Sequence, residues 1–289
     1  MLIKDGFDTA RLVASYRAAE SERPGGLIHD PYARHLAGER GAELMRTYAR
    51  SQEEVWAIAM RTRIYDEILL HRIEQEQIDT VINLAAGLDA RPYRLKLPTS
   101  LRWIEVDLDA LLKYKAACLA NEQPACVLER VPLDITNDAA RKALLSEISE
   151  HAKQIFILTE GLLIYLRGDQ VAAIARDLNE QAAIGWWLTE FMAPAAFKKD
   201  AKSWNKIATD KTQVRFSPAN GAAFFQEYGW NVAEFHSAIE VALNLHVPVR
   251  HSWLLRLLMR FASNQPGTGF AQTGFVLLER ASRLCRDSD

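Results

Sequence analysis

The stretch Thr80–Leu95, TVINLAAGLDARPYRL, constrains this chain most. It opens as a buried strand, Val81-Ile82-Asn83-Leu84-Ala85, breaks at Gly87 and leaves through Asp89 into a helical turn. A short apolar run, then a small-residue turn, then polar residues is how an α/β sheet opens its first ligand loop. Gly87 has no Cβ, so the backbone there is free to take positive φ or to pass close to a ligand. A plain strand ending in a glycine turn would read the same way, so the case rests on residues further along the chain.

The chain has 289 residues, 49% hydrophobic and 25% charged, enough for one large domain or a core with a smaller cap. A net charge of −2 offers no basic excess, which argues against nucleic acid and against an anionic membrane surface. Cys118, Cys126 and Cys285 are an odd set without CxxC spacing, so neither a disulfide framework nor a metal site is expected, and the setting expected is a reducing cytoplasm. No apolar run approaches the roughly 20 residues that span a bilayer. The start, MLIKDGFDTARL, carries charges where a signal peptide needs an apolar block.

Helical periodicity covers residues 8–20, capped by Asp8 or Thr9, then a second helix from Pro31 to about Arg40, loosened by Gly38 and Gly41. A long helix follows over 51–77, carrying both Arg61 and Arg63. Four further strand-like runs, Leu101–Val106, Cys126–Val131, Gln154–Thr159 and Ala183–Thr189, alternate with helices over 110–121, 139–151 and 168–181. That alternation predicts an α/β fold, a parallel sheet covered on both faces. Residues 192–228 read as a helical insertion over one edge. Trp230–Phe235 reads as a short strand, Ser252–Ala262 as a helix, and Thr273–Glu279, after the Gly267/Gly269 turn, as an antiparallel edge strand. The expected organisation is one domain over 1–289: a helical lid (1–77), a cofactor-binding core (78–191), a substrate cap with late sheet elements (192–266), and a last strand and tail (267–289).

Ligands of open α/β sheets bind outside the carboxyl ends of the strands. Gly87, Asp107, Asp134 and Glu160 fall at such ends, 20, 27 and 26 residues apart, one strand–helix unit each. Asp107 suits a ribose diol through charge-assisted hydrogen bonds. Asp134 suits an exocyclic amine, with the Ile135 amide donating to the ring, and Glu160 a cationic or polar part of the ligand. Acids at strand ends also cap the next helix, and any one of them alone would prove little. A dehydrogenase shares the acid after the glycine turn, but AAGLDA lacks G-x-G-x-x-G and offers Asp89, an anion, where a pyrophosphate would sit. Adenosine without phosphate fits better, as in S-adenosylmethionine.

NLAAGLDARPYRL, WIEVDLDALLKYK, the LDI of Leu133–Ile135 and the LTEGLLIYL of Leu158–Leu166 together resemble the leucine carboxyl methyltransferase family, which includes bacterial polyketide O-methyltransferases. TARLVASYRAAESERPGGLIHDPYARHLAG and the final TGFVLLER fit the same group. The resemblance covers about Thr9 to Leu166 plus that last strand. It implies a class I, Rossmann-like methyltransferase fold: a seven-stranded mixed sheet, helices on both faces, last strand antiparallel, with a helical lid and cap. It also implies S-adenosylmethionine as cofactor and S-adenosylhomocysteine as product. Carried over by position, Arg63 and Arg17 would reach the cofactor carboxylate, Gly87 would let the protein backbone approach the cofactor, Asp107 would hold the ribose, Asp134 and Ile135 the adenine, and Glu160 would line the methionine side. Two departures are Ala85, where the family has Gly, and Ala90, where it often has Thr.

The reaction expected is methyl transfer to an oxygen of a small-molecule carboxylate or hydroxyl. A carboxylate acceptor is ionised at neutral pH, whereas a phenol, with an ordinary pKa near ~10, needs a base. No Ser-His-Asp spacing stands out, which leans toward a carboxylate. Tyr165 is the candidate to orient the acceptor, although a tyrosine at a core edge is equally ordinary. Arg91 and Arg94 either attract an acidic substrate or pair with Asp89, and His246 and His251 are candidates to face the substrate. The alternative is a non-catalytic module that binds an adenosine ligand or a protein partner, with Phe197–Phe216 as its surface. Oligomeric state is not encoded legibly.

Overall fold

The computed structural model describes residues 3–48, 52–209, 212–247 and 273–281. His251, the helix expected over Ser252–Ala262, the Gly267/Gly269 turn, Cys285 and the tail lie outside the described residues. Three helices come first: α1 (Gly6–Ser21), α2 (Ala33–Tyr48) and α3 (Gln52–Gln75). The alternating part runs β1 (Thr80–Leu84), α4 (Arg91–Arg94), β2 (Arg102–Asp107), α5 (Asp109–Cys118), β3 (Val127–Pro132), α6 (Asp138–His151), β4 (Ile155–Leu158), α7 (Gly168–Glu180) and β5 (Ile184–Phe191). Then come α8 (Pro194–Trp204), a 3-10 segment (Gly221–Tyr228), β6 (Trp230–Ser237), α9 (Ala238–Asn244) and β7 (Gly274–Arg280).

The seven strands are ordered β3-β2-β1-β4-β5-β7-β6. β1 to β5 are parallel, and β7 runs antiparallel to both β5 and β6. β7 is therefore an inner strand and β6 the edge, which corrects the expected edge position of the last strand. Successive side chains on a strand point to opposite faces. Ile82, Ile104 and Ile157 accordingly pack with α6 and α7 in one core layer, while Val81, Trp103 and Phe156 pack with α3 in the other. Register sets Leu84 beside Val106 and Asp107 beside Pro132, so the carboxyl ends of the strands form one rim.

α1, with α2 packed on it, closes over that rim, while α3 lies on the sheet face and reaches the rim at Arg61 and Thr62. α1 starts at Asp5, whose Oδ1 accepts from the Asp8 N–H at 3.0 Å, so the cap is Asp5 rather than Asp8 or Thr9. α2 runs past Arg40 to Tyr48, with a kink at Gly38 (φ +60°). The Arg11 guanidinium sits 4.3 Å from the Phe7 ring and 4.7 Å from the Tyr114 ring, which ties α1 to α5. Ile3 N donates to Ile207 O at 3.0 Å, joining the N-terminal segment to the insertion after α8. A Cβ at Gly41 would stand 2.7 Å from Ser15 Oγ and 2.8 Å from Arg11 O, so only glycine allows α1 and α2 to approach this closely. Gly41→Val is expected to lower stability by about 1–3 kcal/mol through overpacking; an unchanged urea midpoint would contradict this account of the helix contact.

Candidate active site

The loop after β1 folds on its own backbone. Ala85 takes φ +56° and Gly87 φ +51°, both left-handed. A Cβ at Gly87 would have room, meeting nothing closer than Ala10 Cβ at 3.7 Å. Glycine is favoured there by backbone conformation rather than by space. Ala85 carries the Cβ penalty of that region, on the order of 1–2 kcal/mol. Asp107, at the end of β2, orients the loop: its Oδ2 accepts from Gly87 N and its Oδ1 from Leu108 N, both at 2.7 Å. Each carboxylate oxygen retains a second lone pair. Burial pushes the Asp107 carboxyl up, and the Gly87 and Leu108 amides and Lys115 oppose it.

A cleft of about 510 Å³ opens along the rim. Its floor is Ala85–Asp89, Asp107–Leu108, Leu133–Thr136 and Glu160–Leu162; α1 supplies one wall, and Arg61, Tyr165 and Thr212 close the inner end. The Leu108 side chain is 56% exposed, an unusual position for a large apolar group. Asp134 lies at the opposite side, its Oδ1 accepting from Thr136 N at 2.9 Å and Thr136 Oγ1 at 2.7 Å. The Ile135 N–H makes no hydrogen bond among the described residues.

The inner end is a buried charge network. Arg91 donates to Asp66 at 2.7 Å and to Asp89 at 2.9 Å, and pairs with Glu160 at 2.7 Å. Arg61 donates to Glu160 at 2.9 Å and stands 3.7 Å from Glu190. Glu190, at the end of β5, also accepts from Gly161 N at 2.5 Å and from the Tyr65 hydroxyl. Burial raises the Glu190 carboxyl, opposed by Arg61 and the Tyr65 hydroxyl. Against the same burial, Arg91 and Arg61 hold Glu160 down. Burial alone would raise Asp89, but Arg91, Lys115, Arg94 and Arg17 keep it well below the ordinary carboxylate range. Tyr165 is pushed up to about 12 by burial, with Arg61 opposing, so its hydroxyl keeps its proton at neutral pH.

Arg17, Gly87, Asp107, Asp134, Ile135, Glu160 and Tyr165 all line this one cleft. Arg63 does not. Its side chain is 48% exposed, pairs with Glu67 and reaches Leu27 O at 3.5 Å. Two positions apart on a helix, Arg61 and Arg63 point about 200° apart, so only one can face the rim. Arg61 is the one, and its phase beside Ile58 and Tyr65 was the available signal. Arg17 spends its guanidinium on Asp30 (2.9 Å) and Leu88 O (2.5 Å). Arg91 pairs with Asp89, as one of the two expectations had it, whereas Arg94 pairs with Asp66 instead. His246 is exposed just past α9 and outside the cleft. Sequence reasoning missed Asp66, Tyr65 and Glu190, which carry no motif of their own. Among the described residues no group of three metal-ligating side chains forms, and no helix is long and apolar enough to cross a membrane.

Five parallel strands followed by an antiparallel β7 inserted before β6, with a cleft across the carboxyl rim, define the class I methyltransferase fold. A family profile described as leucine carboxyl methyltransferase matches residues 10–179, and the chain belongs to that family. A Streptomyces coelicolor protein named "Putative S-adenosyl-L-methionine-dependent methyltransferase" is 34% identical over 189 residues, 61% of this chain and 65% of its own length. A Mycobacterium tuberculosis protein of the same printed description is 32% identical over 206 residues, 65% of each chain. The matches thus span just under two thirds of these relatives. Among solved structures, a DUF574 family protein from Streptomyces avermitilis superposes with a TM-score of 0.57 at 12% identity, covering 95% of this chain and 97% of its own. A Thermobifida fusca protein, titled a putative methyltransferase, gives 0.57 at 14% identity, covering 94% of each. At such identity the likeness is one of fold.

The direction of the Asp89 shift fixes a pH dependence. A carboxyl held below its unfolded value adds stability that is present above the unfolded pKa and is lost as pH falls through the folded one. Asp89→Asn is therefore expected to flatten the fall in stability below about pH 4, where an ordinary aspartate titrates. Urea midpoints measured from pH 6 to pH 2.5 that keep the wild-type slope would contradict the assignment.

Proposed function

We propose that the chain is an S-adenosylmethionine-dependent O-methyltransferase acting on a carboxylate or hydroxyl of a small molecule, a polyketide-type or similar metabolite, in the cytoplasm. The observation that carries this reading is Asp107, aimed by two backbone amides at the mouth of a cleft whose size suits a cofactor. Its free lone pairs suit a ribose diol, and exposed Leu108 beside it suits the face of a base. Asp134 accepts and the unpartnered Ile135 N–H donates, the pattern that adenine complements. Arg61 would hold the ligand carboxylate, and Glu160 its ammonium. Positive φ at Gly87 keeps that backbone turned into the cleft.

When bound, S-adenosylmethionine supplies an electrophilic methyl on a sulfonium, which becomes the thioether of S-adenosylhomocysteine. The protein's own share is position and a dry site. Tyr165, protonated at neutral pH, acts as a hydrogen-bond donor that orients the acceptor, not as a base. An ionised carboxylate acceptor needs no base, and that class therefore asks least of the described residues. α1 and the insertion shield the inner end from water.

The test is calorimetric titration with S-adenosylmethionine, S-adenosylhomocysteine and NAD. Binding of the first two and not of NAD is expected. Asp107→Ala should cost about 100-fold in affinity, two charge-assisted hydrogen bonds at roughly 1.5 kcal/mol each. Arg61→Met should weaken binding by about 10-fold or more, while Arg63→Met leaves it unchanged; the reverse pattern would return the carboxylate role to Arg63. In a turnover assay, Tyr165→Phe should lower kcat or raise the acceptor KM without moving cofactor affinity. Cofactor binding with no turnover across a broad panel of acids and phenols would favour a non-catalytic binding module instead.

A further inference from the structure

Behind the turn Leu133–Thr136 lies a buried ion pair between two helices. Arg141 of α6 is 2% exposed and Asp177 of α7 is 3% exposed. Arg141 Nε donates to Asp177 Oδ2 at 2.8 Å, and Nη2 reaches the same oxygen and Asp138 Oδ1 (2.9 Å). The remaining arm, Nη1, donates to Ile135 O at 2.7 Å. Lys142 flanks the pair from outside, 3.3 Å from Asp177. A buried pair costs desolvation that a packed apolar pair would not, so its place here calls for a reason other than stability.

The reason lies in the turn. Asp134 O accepts from Asn137 N at 2.9 Å, which fixes the plane of the Asp134–Ile135 peptide. In a trans peptide the N–H points opposite to the C=O. The Ile135 N–H is thereby directed away from the start of α6, and Ile135 lines the cleft. Arg141 fixes the next peptide plane through the Ile135 carbonyl. Both planes of the turn are thus held, one by the helix start and one by the guanidinium.

We propose that Arg141, anchored by Asp177, is the positioning residue that sets the cleft's preference for adenine over other purines; this rests on the reading of the cleft as an S-adenosylmethionine site. Adenine presents an amine donor beside a ring-nitrogen acceptor, and hypoxanthine presents a carbonyl acceptor beside a ring N–H. A carboxylate at Asp134 and a donor at Ile135 match the first pattern and oppose both positions of the second. If the Ile135 peptide is free to turn, the donor is lost and the two bases become similar.

The experiment compares S-adenosylhomocysteine with S-inosylhomocysteine by calorimetry. Wild type should prefer the adenosyl ligand by about 100-fold, the scale of a matched donor–acceptor pair. Arg141→Met should shrink the ratio below about 10-fold, with Lys142→Ala, which removes only the outer charge, keeping the wild-type ratio. A purely structural role would weaken both ligands alike; an unchanged ratio in Arg141→Met therefore overturns the proposal. If that variant does not fold, Asp177→Asn, which keeps the volume and releases the guanidinium, is read by the same two outcomes. Wild type binding neither ligand would overturn the cofactor reading, and the proposal with it.

Discussion

Arg91 is a nearly fully buried cation with three carboxylates around it, and the shape of the cleft follows from that fact. Its partners come from α3, from the loop after β1 and from the end of β4. A charge taken out of water is tolerated only when its donors are satisfied. One guanidinium therefore holds three segments at fixed distance, with a further donor reaching Thr62 O at 3.4 Å. Arg94 repeats the contact with Asp66 at 2.6 Å, so the short helix α4 is riveted to α3 twice. Neither arginine is left to recruit an anionic substrate. The loop's conformation, including the left-handed Ala85, is held against its local cost by this network and by the Asp107 carboxylate.

That arrangement also sorts the cations of the site by function. Arg91 and Arg94 are structural, locked among acids at 2–3% side-chain exposure. Arg61, at 17%, faces the cleft from between Glu160 and Glu190. A ligand carboxylate at Arg61 competes with acids already there, and an ammonium finds Glu160 beside it. On the proposed reading, the inner end would suit a zwitterion better than a simple anion.

Much of the fold was legible because it rests on periodicity. Runs such as Thr80–Leu84 and Ile155–Leu158 are buried on both faces and read as continuous apolar segments, as parallel strands do. Asp107 and Glu160 were legible for the same reason, one closing and one following a buried run, whereas Asp134 follows the partly exposed β3 and was legible by its spacing. What stayed hidden depends on contacts between distant parts of the chain. The choice of Arg61 over Arg63 needs the phase of α3 against the sheet. Tyr65 and Glu190 meet across 125 positions of sequence. The placement of β7 inside the sheet cannot be read from its own residues, since an inner and an edge strand of this length look alike. Gly38 was legible as loosening α2, but not that the helix resumes beyond the glycine's left-handed kink and runs to Tyr48.

The interior position of β7 has a consequence for how the chain is made. β6 joins the sheet through β7, yet β7 begins 37 positions after β6 ends. A ribosome delivers residues from the N-terminus onward, so β1 to β5 are able to pair while β6 has emerged and its docking strand has not. During that interval β5 presents an open edge and β6, which carries Val232 and Phe235 at its surface, an unpaired strand. β7, which follows both in the sequence, is the strand that seals them. Completion of the sheet therefore waits for β7, and this is the window in which nascent chains of this topology are most open to pairing with one another.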